Sequence, residues 1–196
     1  MNKEELRERF ENQRSNKFTL VLNDNEFNHL KSAEYIYKMF VTNDELCIIY
    51  IAVICHDRDI DDETKQLKTR HYHIVIHFNS NYRIRTVMNI LEDMFHINDN
   101  QISIDKCGSL EAQSRYLLHR DDVDKARYFD TEVYTNDKDL FNRFLNKVVV
   151  GDTHDLINVV KNYNYNLEDI MLNISNYDYW RRYINDLIIN YYRKKF

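Results

Sequence analysis

The run His71-Tyr72-His73-Ile74-Val75-Ile76-His77-Phe78 holds the densest chemistry in this chain. On a β-strand alternate side chains share a face, so His71 and His73 point the same way, about 7 Å apart. Tyr72, Ile74, Ile76 and Phe78 then form an apolar face for a core. Two imidazoles side by side on a rigid strand are a platform for a divalent metal ion; the plainer alternative is a pair of half-exposed sheet histidines. His77 shares the histidine face but sits about 13 Å beyond His73, too far to ligate the same ion, and reads as a surface or packing histidine.

Two further groups bear on that platform. A second apolar stretch ends Ile54-Cys55-His56-Asp57-Arg58-Asp59. If it pairs beside the histidine strand, His56 lies at the same sheet edge as His71, and Asp59 can turn back toward the ion. Asp57, Asp61, Asp62 and Glu63 are competing carboxylates, otherwise a solvated acidic loop. Such a ligand set does not separate Mn²⁺, Mg²⁺, Co²⁺ and Zn²⁺. The third group is Arg115-Tyr116-Leu117-Leu118-His119, in which Tyr116 and His119 stand three residues apart and share a helical face. A tyrosine facing a metal can act as a nucleophile, with its pKa lowered by nearby cations. With 15 tyrosines in the chain, spacing alone does not select Tyr116 over a core or interface role.

The elements that must position these residues follow from periodicity. Strands are expected at 17–22, 46–56, 71–78 and 101–105, and helices at 26–41, 83–95 and 109–119. Residues 57–70 read as a polar connection. Ser109 is a candidate N-cap, and Gly108, in the turn before it, is a candidate hinge for the helix carrying Tyr116. Helical patterns follow at 137–149, 153–163, 167–174 and 177–195. In the last, Trp180, Tyr183, Ile184, Leu187, Ile188 and Tyr191 recur at helical spacing. The expected fold class is α+β, with an antiparallel or mixed sheet in a first domain, 1–135, and a small all-α region, 136–196, with Gly151 as a candidate joint.

Composition narrows the setting. The chain has 196 residues, two glycines and no proline, which excludes collagen-like and proline-rich sequence and assigns the turns to Asn, Asp and Ser. The formal net charge of −5 speaks mildly against nucleic acid as a partner, although local surface decides binding. Cys47, Cys55 and Cys107 form no CxxC pair, which fits a reducing, cytoplasmic compartment. The charged stretch 1–17 has no apolar signal-peptide core. The longest apolar run, Leu46–Cys55, is ten residues, whereas a membrane span needs about 20.

The order of an apolar strand ending His56-Asp57-Arg58-Asp59, then His71-Tyr72-His73, then Arg115-Tyr116-Leu117-Leu118-His119 resembles the HUH-endonuclease initiators of rolling-circle replication found on small bacterial plasmids. The likeness covers about 17–128, with Phe18-Thr19-Leu20 matching the family's early strand motif. It implies a central antiparallel sheet with the HUH strand in the middle and helices on its faces. It implies His56, Asp59, His71 and His73 as ligands of a divalent ion, Mn²⁺ or Mg²⁺, and Tyr116 as the nucleophile, with Tyr128 in reserve. The implied activity is metal-dependent nicking and joining of single-stranded or hairpin origin DNA through a 5′-phosphotyrosine, leaving a 3′-OH for a host polymerase and helicase to use. Relaxases place the tyrosine before the HUH motif; here it follows, an order shared with single-tyrosine HUH transposases, the alternative enzyme. A non-catalytic origin-binding or repressor module on the same fold is a further alternative.

Arg58, Lys68, Arg70, Arg115, Arg120 and Lys125 flank these motifs and are the candidate phosphate contacts, each otherwise a solvated surface charge. The C-terminal helices are expected to serve homo-oligomerisation, as in related initiators, or accessory DNA binding, with the apolar stripe from Trp180 to Tyr191 otherwise an intrachain core.

Overall fold

The computed structural model describes residues 2–24, 30–122, 124–147, 153–174 and 177–195. The chain divides into two compact units, Met1–Phe141 and Asn142–Phe196.

The first unit is built on five strands: β1 (Arg14–Asn23), β2 (Ile48–His56), β3 (His71–Arg83), β4 (Ile102–Lys106) and β5 (Tyr134–Thr135). They lie in the order β4-β1-β3-β2-β5, and every neighbouring pair is antiparallel. The histidine strand β3 is therefore central, and the sheet is antiparallel rather than mixed. Its helices are α1 (Lys3–Glu11), α2 (Ala33–Val41), α3 (Ile84–Phe95) and α4 (Leu110–Tyr116).

Period-two alternation sorts the two sheet faces. Phe18, Leu20 and Leu22 of β1, Ile51 and Val53 of β2, and Tyr72, Ile74, Ile76 and Phe78 of β3 are buried in one core with Ile36 and Phe40 of α2 and Val87, Leu91 and Phe95 of α3. Phe18 meets Phe78 edge-on at a centroid distance of 6.1 Å. Phe18→Ala removes a fully buried ring and is expected to cost about 3–5 kcal/mol in urea unfolding; a loss below about 1 kcal/mol would contradict this packing.

The opposite face carries the histidines and is partly covered by α4. Ser114, fully buried on α4, hydrogen-bonds the Tyr50 hydroxyl at 2.9 Å.

Several boundaries differ from expectation for physical reasons. Helix α2 starts at Ala33, with Ser32 accepting from the Tyr35 amide, rather than at residue 26. Leu30 is pinned outside the helix: its amide donates to Asp24, and its carbonyl accepts from Tyr72 and Arg70. The first part of the expected helix, residues 25–29, lies outside the described residues. Helix α4 ends at Tyr116, and His119 takes a left-handed conformation, φ 49°. Strand β5 was not expected, because two residues show no period. Gly108 does not have a positive φ, and a Cβ there would meet nothing within 4 Å, so its backbone conformation does not require glycine. Gly151 lies outside the described residues. Among the described residues the left-handed positions are taken by Cys47, Lys65, His96, His119, Asn164 and Tyr165.

Helix α5 (Lys138–Asn146) spans the division between the units. The second unit then holds α6 (Thr153–Asn162), α7 (Leu167–Asn173) and α8 (Tyr177–Lys195). Leu156, Val160, Ile170, Ile174, Trp180 and Ile184 form its own core, and Tyr165 stacks on Tyr191 at 3.8 Å. Part of the α8 stripe is thus intrachain core, while Tyr183 is half exposed. Among the described residues no helix is long and apolar enough to cross a membrane.

Candidate functional site

The antiparallel ladder decides where the histidines meet. His56 lies directly opposite His71, and Ile54 opposite His73. Side chains opposite one another share a face, so His56, His71 and His73 converge. Their ring centroids are 4.3 Å apart for His56–His73, 5.1 Å for His71–His73 and 5.6 Å for His56–His71. One nitrogen from each lies within 4.8 Å of the others, and His56, Asp59 and His119 form a second set meeting the same criterion.

Backbone carbonyls fix the tautomers. A carbonyl only accepts, so the ring nitrogen facing it carries the hydrogen. His56 Nε2 donates to the Leu117 carbonyl at 2.8 Å, leaving Nδ1 as a lone pair 3.2 Å from Asp59 Oδ2. His71 Nδ1 donates to the Thr69 carbonyl at 2.9 Å, leaving Nε2 as a lone pair 3.5 Å from the same oxygen. His119 Nδ1 donates to the Ala126 carbonyl at 2.8 Å. Two imidazole lone pairs therefore face one carboxylate oxygen, an arrangement of three acceptors that needs a proton or a cation between them. Burial disfavours the proton, pushing the pKa of His56 down to about 4. It pushes His73 down to about 2, with further lowering by His56 and His71. A divalent cation fits this donor set, and the carbonyls that orient the rings are the usual outer support of ligating histidines.

The same burial has a consequence for the metal-free protein. Unfolded histidine titrates near 6.5, so below that pH the unfolded chain takes up protons that His56 and His73 refuse, and stability must fall with pH. The His56 share is complete near pH 4, whereas His73 continues to respond toward about 2. Urea unfolding at pH 7 and pH 5 is expected to show a loss on the order of 2 kcal/mol per ring. Stability that holds or rises between those values would contradict neutral burial.

Asp59 is held from its other oxygen. Tyr128 donates to Asp59 Oδ1 at 3.0 Å and accepts from the Arg58 amide at 2.9 Å. Its ring stacks on His56 at 4.2 Å with a 9° interplanar angle. Tyr128 is 4 % exposed, and burial raises its phenol to about 12. These contacts hold Asp59 and commit the Tyr128 hydroxyl to it.

Tyr116 stands differently. At the end of α4 it is 40 % exposed, with its ring 5.8 Å from His73 and 5.3 Å from His119. Lys125 Nζ donates to its hydroxyl at 3.3 Å and also pairs with Asp122. Tyr116, His71, His73, Asp59, Lys68 and Lys125 line one cavity of about 620 Å³.

The remaining candidates separate by environment. Arg58 pairs with Glu132 and lies 4.3 Å over the Tyr128 ring. Arg70 pairs with Asp24. Arg115 is buried, and its Nε donates to Asp121 at 2.8 Å at the end of α4. Arg120 is exposed. Of the competing carboxylates, Asp61 accepts from the Glu63 and Thr64 amides and so closes a turn, while Asp57 pairs with Arg58. His77 meets the Asn16 side chain at 3.2 Å. Sequence reasoning missed His119, whose ring centroid is 4.5 Å from that of His56, although its shared face with Tyr116 was a signal. Nothing in the spacing marked Tyr128.

The profile of the family described as plasmid replication protein, origin binding domain, matches residues 10–141, which contain the whole site. A "Replication protein" of Staphylococcus aureus is 33 % identical over 84 residues, 43 % of this chain and 39 % of that relative. The aligned segment thus spans about two fifths of the relative's length.

Proposed function

The chain belongs to the plasmid replication protein family with an origin-binding domain, and from that premise we propose that it initiates replication by nicking and rejoining one strand of origin DNA. The observation that carries this reading is the exposed Tyr116 side chain lining the same cavity as His71, His73 and Asp59, members of the converging donor sets. His56, Asp59, His71 and His73 would hold a divalent ion. When bound, that ion supplies Lewis-acid polarisation of the scissile phosphate.

The chain's own residues do the rest. Tyr116 gives its phenolic proton to water and its oxygen attacks phosphorus, so a bond forms between that oxygen and the phosphate. The bond from phosphorus to the 3′ oxygen breaks, and that oxygen takes a proton from water and is released as a 3′-OH. Lys125 donates to the Tyr116 hydroxyl and so helps to orient its oxygen in the cavity. Lys68 and Lys125 offer phosphate contacts within the cavity. The phosphotyrosine keeps the phosphodiester's energy, so attack by a 3′-OH reverses the step and rejoins the strand.

The test is incubation of the protein and Mn²⁺ with an end-labelled pool of single-stranded DNA carrying randomised hairpin loops, followed by a denaturing gel. A covalent protein–DNA band together with cut strands is expected. Retarded but intact DNA, with no covalent band, would leave an origin-binding module without this chemistry.

A further inference from the structure

The connection between β2 and β3, residues 57–70, forms a small rigid finger. Ile60 and Leu67 pair across an antiparallel bridge. The Lys68 amide donates to the Asp59 carbonyl at 2.8 Å, the Asp61 amide to Gln66 at 2.8 Å and the Lys65 amide to Asp61 at 2.9 Å. The Asp61 carboxylate closes the tip by accepting from the Thr64 amide and hydroxyl, and Lys65 takes the left-handed position, φ 56°. The finger is thus held in one shape without a glycine, and it is rooted at Asp59, a residue of the site.

What this finger presents is unusual for a surface turn. Ile60 is 52 % exposed and Leu67 63 % exposed. Residues opposite one another on a two-stranded ladder share a face, so the two form one aliphatic edge. Neither belongs to the core of the unit. Ile60 also lines the cavity that holds Tyr116, as do Lys65 and Lys68. An aliphatic edge on a stiff support, with lysines beside it, matches how proteins part stacked bases: an apolar side chain enters between base steps while cations hold the flanking phosphates. Asp62 and Glu63 stand at the tip. Asp62 also lines the cavity, where Lys65 and Lys68 offset its charge along the path of a strand.

We propose that the Ile60–Leu67 edge is a wedge that opens the DNA base pair next to the scissile strand, so that the unpaired strand enters the Tyr116 cavity. This rests on the nicking reading of that cavity and names the DNA it takes: the junction between paired and single-stranded segments. Two measurements separate the wedge from that reading. In the first, wild-type protein and the Ile60→Ser/Leu67→Ser variant each bind DNA hairpins in which a fluorescent adenine analogue occupies the closing base pair. Wild type is expected to raise the fluorescence as the analogue unstacks, and the variant to raise it much less at equal bound fraction. The second compares covalent adduct yield on the hairpin pool with that on the same loops lacking a stem. The hairpin-to-single-strand ratio is expected to fall about tenfold in the variant, equivalent to about 1.4 kcal/mol. Equal fluorescence from both proteins, or an unchanged ratio, overturns the wedge. Absence of any wild-type adduct overturns the nicking reading alone, and the fluorescence still decides the wedge. Both positions are exposed, so a wild-type melting temperature is expected for the variant.

Discussion

Tyr116→Phe is expected to remove covalent adduct formation by at least about three orders of magnitude while leaving DNA retention on a native gel intact. The substitution deletes one oxygen and keeps the ring that rests against His73 and His119. The size of the loss follows from the absence, among the described residues, of a substitute tyrosine nearby. Tyr128 is buried, has a raised pKa, and its hydroxyl is committed to Asp59 and the Arg58 amide. Tyr50 and Tyr72 are fully buried, bonded to Ser114 and to the Leu30 carbonyl. Tyr128→Phe is the informative partner. It keeps the ring stacked on His56 but releases Asp59, so adduct formation persists and a higher metal concentration is needed to support it. Full adduct formation by Tyr116→Phe would refute the nucleophile assignment.

His73→Ala is expected to lower Mn²⁺ affinity at least about a hundredfold in a calorimetric titration. Its ring stands 4.3 Å from that of His56 and 5.1 Å from that of His71, and burial keeps it neutral and able to offer a lone pair. His77→Ala is the control. It lies on the same strand and the same face, but its ring meets Asn16 and stands apart from the cluster, so its affinity is expected to equal wild type. Equal Mn²⁺ affinity in wild type and His73→Ala would remove His73 from the ligand set. Chelation of the metal from wild-type protein is expected to stop adduct formation and leave the fold in place, because the core on the other sheet face contains none of these residues.

How much of this was legible before the structure varies by residue. Strand β3 was readable because every second residue from Tyr72 to Phe78 is apolar, and a one-residue slip would bury the histidines instead. The convergence of His56 on His71 was only conditional, since pairing and register are long-range facts settled by the ladder. The start of α2 was missed because Asp24, Arg70 and Tyr72 hold Leu30, and only one of those three is near it in sequence. The tautomers could not be foreseen at all, because Leu117, Thr69 and Ala126 act through backbone carbonyls, which any residue type supplies. The negative net charge says little about this cavity, where Lys65, Lys68 and Lys125 stand together with Asp59, Asp62 and Asp124. Scarcity of glycine did not prevent tight turns either, because His119 and Lys65 occupy left-handed positions at the site itself.

The central claim is that the Tyr116 oxygen becomes covalently joined to DNA. The most direct test is to trap the adduct with Mn²⁺ and labelled single-stranded DNA, denature it, digest it with trypsin and nuclease, and locate the residual nucleotide by mass spectrometry. Cleavage after Arg115 and Arg120 isolates Tyr116-Leu117-Leu118-His119-Arg120 as a fragment with a single tyrosine. The phosphonucleotide is expected on that fragment, attached to Tyr116; a nucleotide on the fragment beginning at Tyr128, or on any other, would show that Tyr116 is not the nucleophile.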